Sequence, residues 1–184
     1  DSMDLLVNSK TGTTALGLIE ADTPNILLEA IFVLETVAQS KWHVEQYLAP
    51  TPIRLLVDIR GNDLTQERDH ASISEEAEDG NIFRFLEQPG FNDTLLKTMI
   101  EGATELAEAE AAHIKKEAEA IAEKTLDAAL RRLIQLRKIN DHVRLEEIEH
   151  AQLQLDNTLD AIEHARLRLD SIRLIVEGST EALM

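Results

Sequence analysis

From Asn92 onward the sequence places apolar side chains at Leu95, Met99, Leu106, Ile114, Ala118, Ile121, Ala129, Leu133 and Leu136, with Glu, Lys and Ala between them. Steps of three and four, singly or summed, define one face of an α-helix. The run reads as a single amphipathic helix with Asn92 or Asp93 as its N-cap. About 45 residues at 1.5 Å each extend roughly 65–70 Å. No small sheet buries a stripe of that length alone, so the helix requires an antiparallel partner. The segment Lys138–Glu147, with Asn140 and Asp141 as cap and turn residues, supplies the reversal. Beyond it Ile148, Leu155, Leu159, Ile162, Leu169, Ile172 and Val176 form a second stripe, which Gly178 closes as a C-cap.

The first ninety residues have a different grain. Ser2–Val7 suits a turn or two of helix, and Thr13–Glu20 leans to strand. After the turn Asp22-Thr23-Pro24-Asn25, the run Ile26–Ala38 is β-branched enough to favour a strand, although its length also permits a helix. Pro50 and Pro52 deliver an extended chain into a third strand, Ile53–Ile59, closed by Gly61-Asn62-Asp63. Residues 65–94 are polar and irregular, broken by Gln88-Pro89-Gly90. The expectation is an α+β fold: a small, mostly antiparallel sheet with a long antiparallel helical hairpin. Residues 1–90 form the sheet-bearing half and 91–184 the hairpin, together one domain of a longer protein. The opening DSMDLL looks like a cut inside such a protein rather than a signal peptide.

Charge and cysteine usage narrow the function classes. With no cysteine, disulfides and thiolate zinc sites are excluded, and a reducing, cytoplasmic setting is expected. The net charge is −17, and both halves are acidic: 17 acids against 7 bases up to residue 100, then 18 against 11. Phosphate binding needs clustered cations, so direct nucleic-acid binding is not expected, nor is an anionic membrane surface. No apolar run approaches the roughly 20 residues of a membrane span. A basic-faced protein partner suits the charge better.

Catalytic and ligand motifs are missing from the sequence. It contains no G-x-S-x-G, H-E-x-x-H, G-x-x-x-x-G-K-[ST] or G-x-G-x-x-G. Glu147-x-x-His150 has the spacing of di-iron bundles, but a second such pair is lacking: His164 has Asp160 four residues before it and no acid at three. A solvated face is the simpler reading. Catalytic, cofactor and metal residues are therefore expected to be none. Trp42, Tyr47, Phe32, Phe83, Phe85 and Phe91 read first as core or interdomain contacts. Trp42, His43 and Tyr47, just before the proline stretch, are also candidate partner contacts, with an exposed anchor of Trp42 and His43 as the alternative to burial. Arg54 and Asp58, four apart on one side of a strand, are a candidate polar line facing solvent or a neighbouring domain. Arg166, Arg168 and Arg173 read as spread around the second helix, with Arg173 near its C-terminus.

Three stretches, DLLVNSKTGTTALGLI, YLAPTPIRLLVDIRGNDL and RLDSIRLIVEG, with LRKIN at the helix turn, resemble the C-terminal domain of the RapA family of bacterial RNA-polymerase-associated proteins. The resemblance covers nearly the whole chain. It implies a parent that is a Swi/Snf-type ATPase and nucleic-acid translocase. Such a parent would bind core RNA polymerase and promote its reuse, within the nucleoid-associated transcription machinery of the bacterial cytoplasm. Its ATP and Mg²⁺ sites would lie in two preceding ATPase lobes, leaving this segment as an accessory domain that contacts those lobes, polymerase, or both. The rival expectation is a coiled-coil-like dimerisation module for another protein.

Overall fold

In the computed structural model the described residues are 13–80 and 93–178. The Ser2–Val7 turn, Asn92, Phe83, Phe85, Phe91 and the Gln88-Pro89-Gly90 break lie outside them. The chain runs β1 (Thr13–Glu20), β2 (Asn25–Glu35), two short 3-10 turns (Ser40–Trp42 and Val44–Gln46), β3 (Thr51–Asp58), α1 (His70–Glu76), β4 (Glu78–Gly80), α2 (Asp93–Ile139), α3 (Leu145–Glu163) and β5 (Arg166–Gly178). The fold is α+β, with a five-stranded, mostly antiparallel sheet in the order β3-β2-β5-β1-β4. β1 runs parallel to β5, from Thr13 opposite Ser171 to Glu20 opposite Gly178, and antiparallel to β4.

The run 26–38, ambiguous in sequence, is strand to Glu35. Consecutive burial of Leu27, Leu28, Glu29 and Ala30 shows it covered on both faces, which explains its nearly unbroken apolar character. Pro52 is the second residue of β3, an edge strand, where a missing N–H breaks no ladder. Within the polar stretch 65–80 a helix forms after all. Asp69 caps α1, its Oδ1 accepting from Ser72 N at 2.7 Å and Ser72 Oγ at 2.6 Å. These bonds hold the Asp69 carboxyl below its ordinary value.

One expectation is corrected. The second helix does not run to Gly178; it ends at Glu163, and Arg166–Gly178 is β5, a central strand of the sheet. Leu169, Ile172 and Val176 therefore belong to a strand. Arg173 sits within that strand, not at a helix C-terminus, and Arg166 and Arg168 lie on it too. Only His164 and Ala165 join helix to strand, with neither glycine nor proline to mark the break. The residues that favour the strand are Ile172, Ile175 and Val176.

The described residues form two compact units. One comprises residues up to Val33, Pro52–Ala109 and those from Arg168; the other comprises Leu34–Thr51 and Glu110–Leu167. In the first, Ile19, Leu27, Leu56, Ile73 and Ile175 pack together. In the second, α2 and α3 form the expected antiparallel hairpin around Leu126, Leu130 and Leu155, with Tyr47, Ile148 and Leu159 against them. The buried stripe of α2 differs from the expected one. Leu96, Met99, Ala103, Ala107, Ala111, Ala118, Ala122, Leu126 and Leu130 are buried, while Ile121 is 59% and Leu136 37% exposed.

Neighbouring backbone lies close to this helix at Gly102. Its missing Cβ would lie 2.9 Å from Cα of Gly61, which holds φ +80 in the turn after β3. We predict that Gly102→Ala lowers stability by about 1–3 kcal/mol despite alanine's better helix propensity. A thermal or urea melt beside the exposed control Glu101→Ala checks this; equal midpoints would contradict it.

Candidate functional site

Three neighbouring strands each carry one charged residue inside an apolar run: Glu29 in ILLEAIFVL, Arg54 in PIRLLV and Arg173 in SIRLIV. The order β3-β2-β5 puts Glu29 on the strand between the two arginines. Glu29 is 2% exposed. Its Oε1 accepts from Arg54 Nε at 2.7 Å, and its Oε2 from Arg173 Nε at 3.0 Å and Nη2 at 2.8 Å. Arg54 also donates through Nη2 to the Arg68 carbonyl at 3.0 Å, tying β3 to the loop before α1. Burial pushes the Glu29 carboxyl up. Hydrogen bonds from Arg54 and His70, with the charges of Arg173 and Arg54, more than offset this and leave it below its ordinary value.

α1 completes the cluster. His70 Nδ1 lies 2.9 Å from Glu29 Oε1, and His70 Nε2 lies 3.4 Å from Ser74 Oγ, one turn along the helix. Glutamate, histidine and serine thus stand in the order of an acyl-transfer triad. The surrounding chemistry does not suit that reaction. The glutamate is already matched by two guanidinium groups, so it has little charge left to offer an imidazolium. Arg173 donates to Ser74 Oγ through Nη1 at 3.2 Å and Nη2 at 3.1 Å, occupying the lone pairs a nucleophile would use. Arg173 Nη2 also lies 3.5 Å from His70 Nδ1, so a protonated ring would face a cation. The arrangement is suited to holding α1 on the sheet.

A second ion-paired group lies in the same unit. Arg68 donates to Glu177 and, at 2.7 Å, to Glu76, while Asn25 Nδ2 donates to Glu177 at 3.4 Å.

The five candidate contacts separate into these two units. Trp42 is buried, at 7% exposure, and is not an exposed anchor. Its ring stacks on His150 with centroids 5.4 Å apart, and Lys41 Nζ lies 4.5 Å from its centroid. His43 is exposed, holds φ 51 between the two 3-10 turns, and lies 3.6 Å from Glu45. Tyr47 packs against the Leu126–Leu130–Leu155 cluster. Arg54 turns to Glu29. Asp58 instead closes the turn after β3, accepting from Arg60 N at 2.8 Å, Asn62 N at 2.9 Å and Asn62 Nδ2 at 2.8 Å. Burial pushes the Asp58 carboxyl up, but these bonds, with the charge of Arg60, together outweigh it and leave it below its ordinary value. Arg54 and Asp58 therefore do not act as one polar line.

The metal-spaced pair Glu147 and His150 is engaged otherwise. Glu147 Oε1 accepts from Arg144 N at 3.2 Å, capping α3, and His150 carries the Trp42 stack. At the far end of α3, ligand-type atoms of Asp160, Glu163 and His164 lie within 4.8 Å of one another; all three residues are exposed. His164 Nδ1 is 2.9 Å from the Asp160 carbonyl, as expected where an acidic helix ends. An open cleft of about 710 Å³ lies in the hairpin unit, between the last turns of α2 and the start of α3; Ala129, Leu133, His142, Arg144, Glu147 and His150 are among its walls. Among the described residues, no helix is long and apolar enough to cross a membrane.

Glu29 and His70 escaped the sequence reading. The available signal was one charge set inside an apolar run on each of three strands, which only the strand order makes meaningful.

Comparison with known proteins gives a consistent match. The profile described as the RNA polymerase recycling family C-terminal region matches residues 1–177. The chain is similar to the RNA polymerase-associated protein RapA of Actinobacillus pleuropneumoniae, 31% identical over 179 residues and 96% of this chain. It is 29% identical to the RapA proteins of Vibrio campbellii and Proteus mirabilis, over 95% and 96% of its length. In each case it spans only 18% of the relative's length.

Removing the Glu29 charge is predicted to be costly, because it leaves two guanidinium groups facing each other. Glu29→Gln should lose about 3 kcal/mol at pH 7, read by urea denaturation. Because the folded carboxyl sits below its unfolded value, its contribution is complete above about pH 5 and fades as pH falls through the ordinary glutamate value near 4.3 and on to the depressed one. The gap between wild type and variant should therefore narrow on acidification; a gap that widens would contradict the assignment.

Proposed function

The chain belongs to the RNA polymerase recycling family, as its C-terminal region, and from that membership we propose that it is a non-catalytic accessory and interaction module of a longer RapA-like protein. The observation that carries this reading is the extent of the match, which runs from residue 1 to 177 and falls within 18% of each relative's length. The cluster around Glu29 supports it, because every polar atom there that could do chemistry is committed to holding strands and helix together.

On this reading the parent is an ATP-hydrolysing nucleic-acid translocase that returns polymerase to use after transcription. ATP and Mg²⁺ are bound in its ATPase lobes and not in this chain, which takes no cofactor of its own. Its partners are core RNA polymerase and those lobes. It works in the bacterial cytoplasm with the nucleoid-associated transcription machinery and grips neither membrane nor, over its acidic body, nucleic acid.

The test is binding. Purified chain mixed with purified core RNA polymerase should co-elute with it in gel filtration, and the chain alone should hydrolyse no ATP above a buffer blank. Turnover that follows the chain through purification would overturn the non-catalytic reading. A chain that ignores polymerase but self-associates with rising concentration in sedimentation would favour the dimerisation module instead.

A further inference from the structure

The turn of the hairpin has a charge opposite to that of the chain. Residues 131–144, RRLIQLRKINDHVR, hold five bases and one acid, a net of +4 within a chain of net −17. Arg131, Arg132, Arg137, Lys138 and Arg144 are all exposed. Arg131 pairs with Asp127 at 2.8 Å, but among the described residues no ion pair engages Arg132, Arg137 or Lys138. Apolar side chains stand among them uncovered: Ile134 at 40%, Leu136 at 37%, Ile139 at 84% and Leu145 at 51% exposure. The same end of the hairpin holds the open cleft, so Leu133, His142 and Arg144 border both.

We propose that this hairpin tip is a docking surface for an acidic, apolar-bearing protein surface, and that on core RNA polymerase it is the part of the chain that makes contact. The identity of that partner rests on the reading above. Complementary charge argues for an acidic face, since unpaired, solvated cations can be matched on docking without first breaking an internal pair. The isoleucines and leucines argue for protein, because they bury against apolar side chains and gain little against phosphate. A nucleic acid following α2 would also meet seven acids and only two lysines between Glu101 and Glu123, and residues 131–144 offer it no Phe, Tyr or Trp on which to stack a base. A compact protein surface can engage the tip alone. The cleft then receives a partner side chain, with His142 and Arg144 at its rim.

The experiment uses the full chain, fluorescently labelled at a site away from the hairpin and titrated with core RNA polymerase at low and moderate salt. Two variants address the surface, Arg132→Glu/Arg137→Glu/Lys138→Glu for charge and Leu136→Ser/Ile139→Ser for apolar contact, with Arg60→Glu as control. The altered side chains are exposed, so circular dichroism and melting should match wild type. The expected result is binding that weakens with salt, falls at least about tenfold in either tip variant and is unchanged in the control. If wild type binds and both tip variants bind equally well, the docking surface is elsewhere and the family reading stands. If wild type does not bind polymerase at all, both fall. Parallel titrations with a 20-base-pair duplex, phosphatidylserine vesicles and unlabelled chain test the other occupants. Tip-dependent binding to any of these that is tighter than to polymerase would overturn the proposal.

Discussion

A carboxylate with almost no access to water sits on the middle strand of three, and everything around it is arranged to keep it charged. Glu29 would be strongly destabilising alone, since an unpaired ion in such surroundings loses several kcal/mol of hydration. Arg54 from one neighbouring strand and Arg173 from the other offset that loss, and His70 adds a fourth contact from α1. The consequence is positional. A one-residue slip of β3 or β5 would move its arginine to the opposite face and strand the glutamate. The ion ladder therefore selects a register that the surrounding leucines and isoleucines would tolerate less strictly. Arg54, by also holding the Arg68 carbonyl, extends that constraint to the loop leading into α1.

The same neutralisation accounts for why a serine and a histidine on one helix, with a glutamate 41 residues from that histidine, need not be an enzyme. A triad works when its acid is free to support a charge that appears on the imidazole. Here the acid's charge is spent on two guanidinium groups, and the serine oxygen accepts from one of them. Chemistry that would matter in an active site serves instead to join helix and sheet. The interactive part of the chain is then sought where cations are unpaired and apolar groups uncovered, at the hairpin turn.

Much of this was legible in the residues. The length of α2, its antiparallel partner, strands β1 to β3 and the proline-led edge strand follow from periodicity and turn chemistry. So does the family, through the Pro-Thr-Pro-Ile-Arg block and the stretches around it. The last strand was not legible, because Leu169, Ile172 and Val176 fall at helical spacing and nothing between His164 and Arg166 forbids a helix to continue. Partners settled it: β5 is parallel to β1, 158 residues earlier, and a local pattern does not carry such pairing. The buried face of α2 was misjudged for a related reason. Its buried face runs largely through alanines, which an apolar pattern weights less than the larger Ile121 and Leu136, both left exposed. The hairpin's cationic turn was hidden by averaging charge over halves of the chain, within which fourteen residues of opposite sign disappear.

A double-mutant cycle between Glu29→Gln and Arg173→Met, followed by urea denaturation at pH 7, tests the central claim most directly. If the ladder acts as a unit, losing the second partner adds little once the first is gone, and the two changes should couple by about 1–3 kcal/mol. Strictly additive losses would show that the glutamate and arginine contribute separately and that the register of the sheet is set by something else.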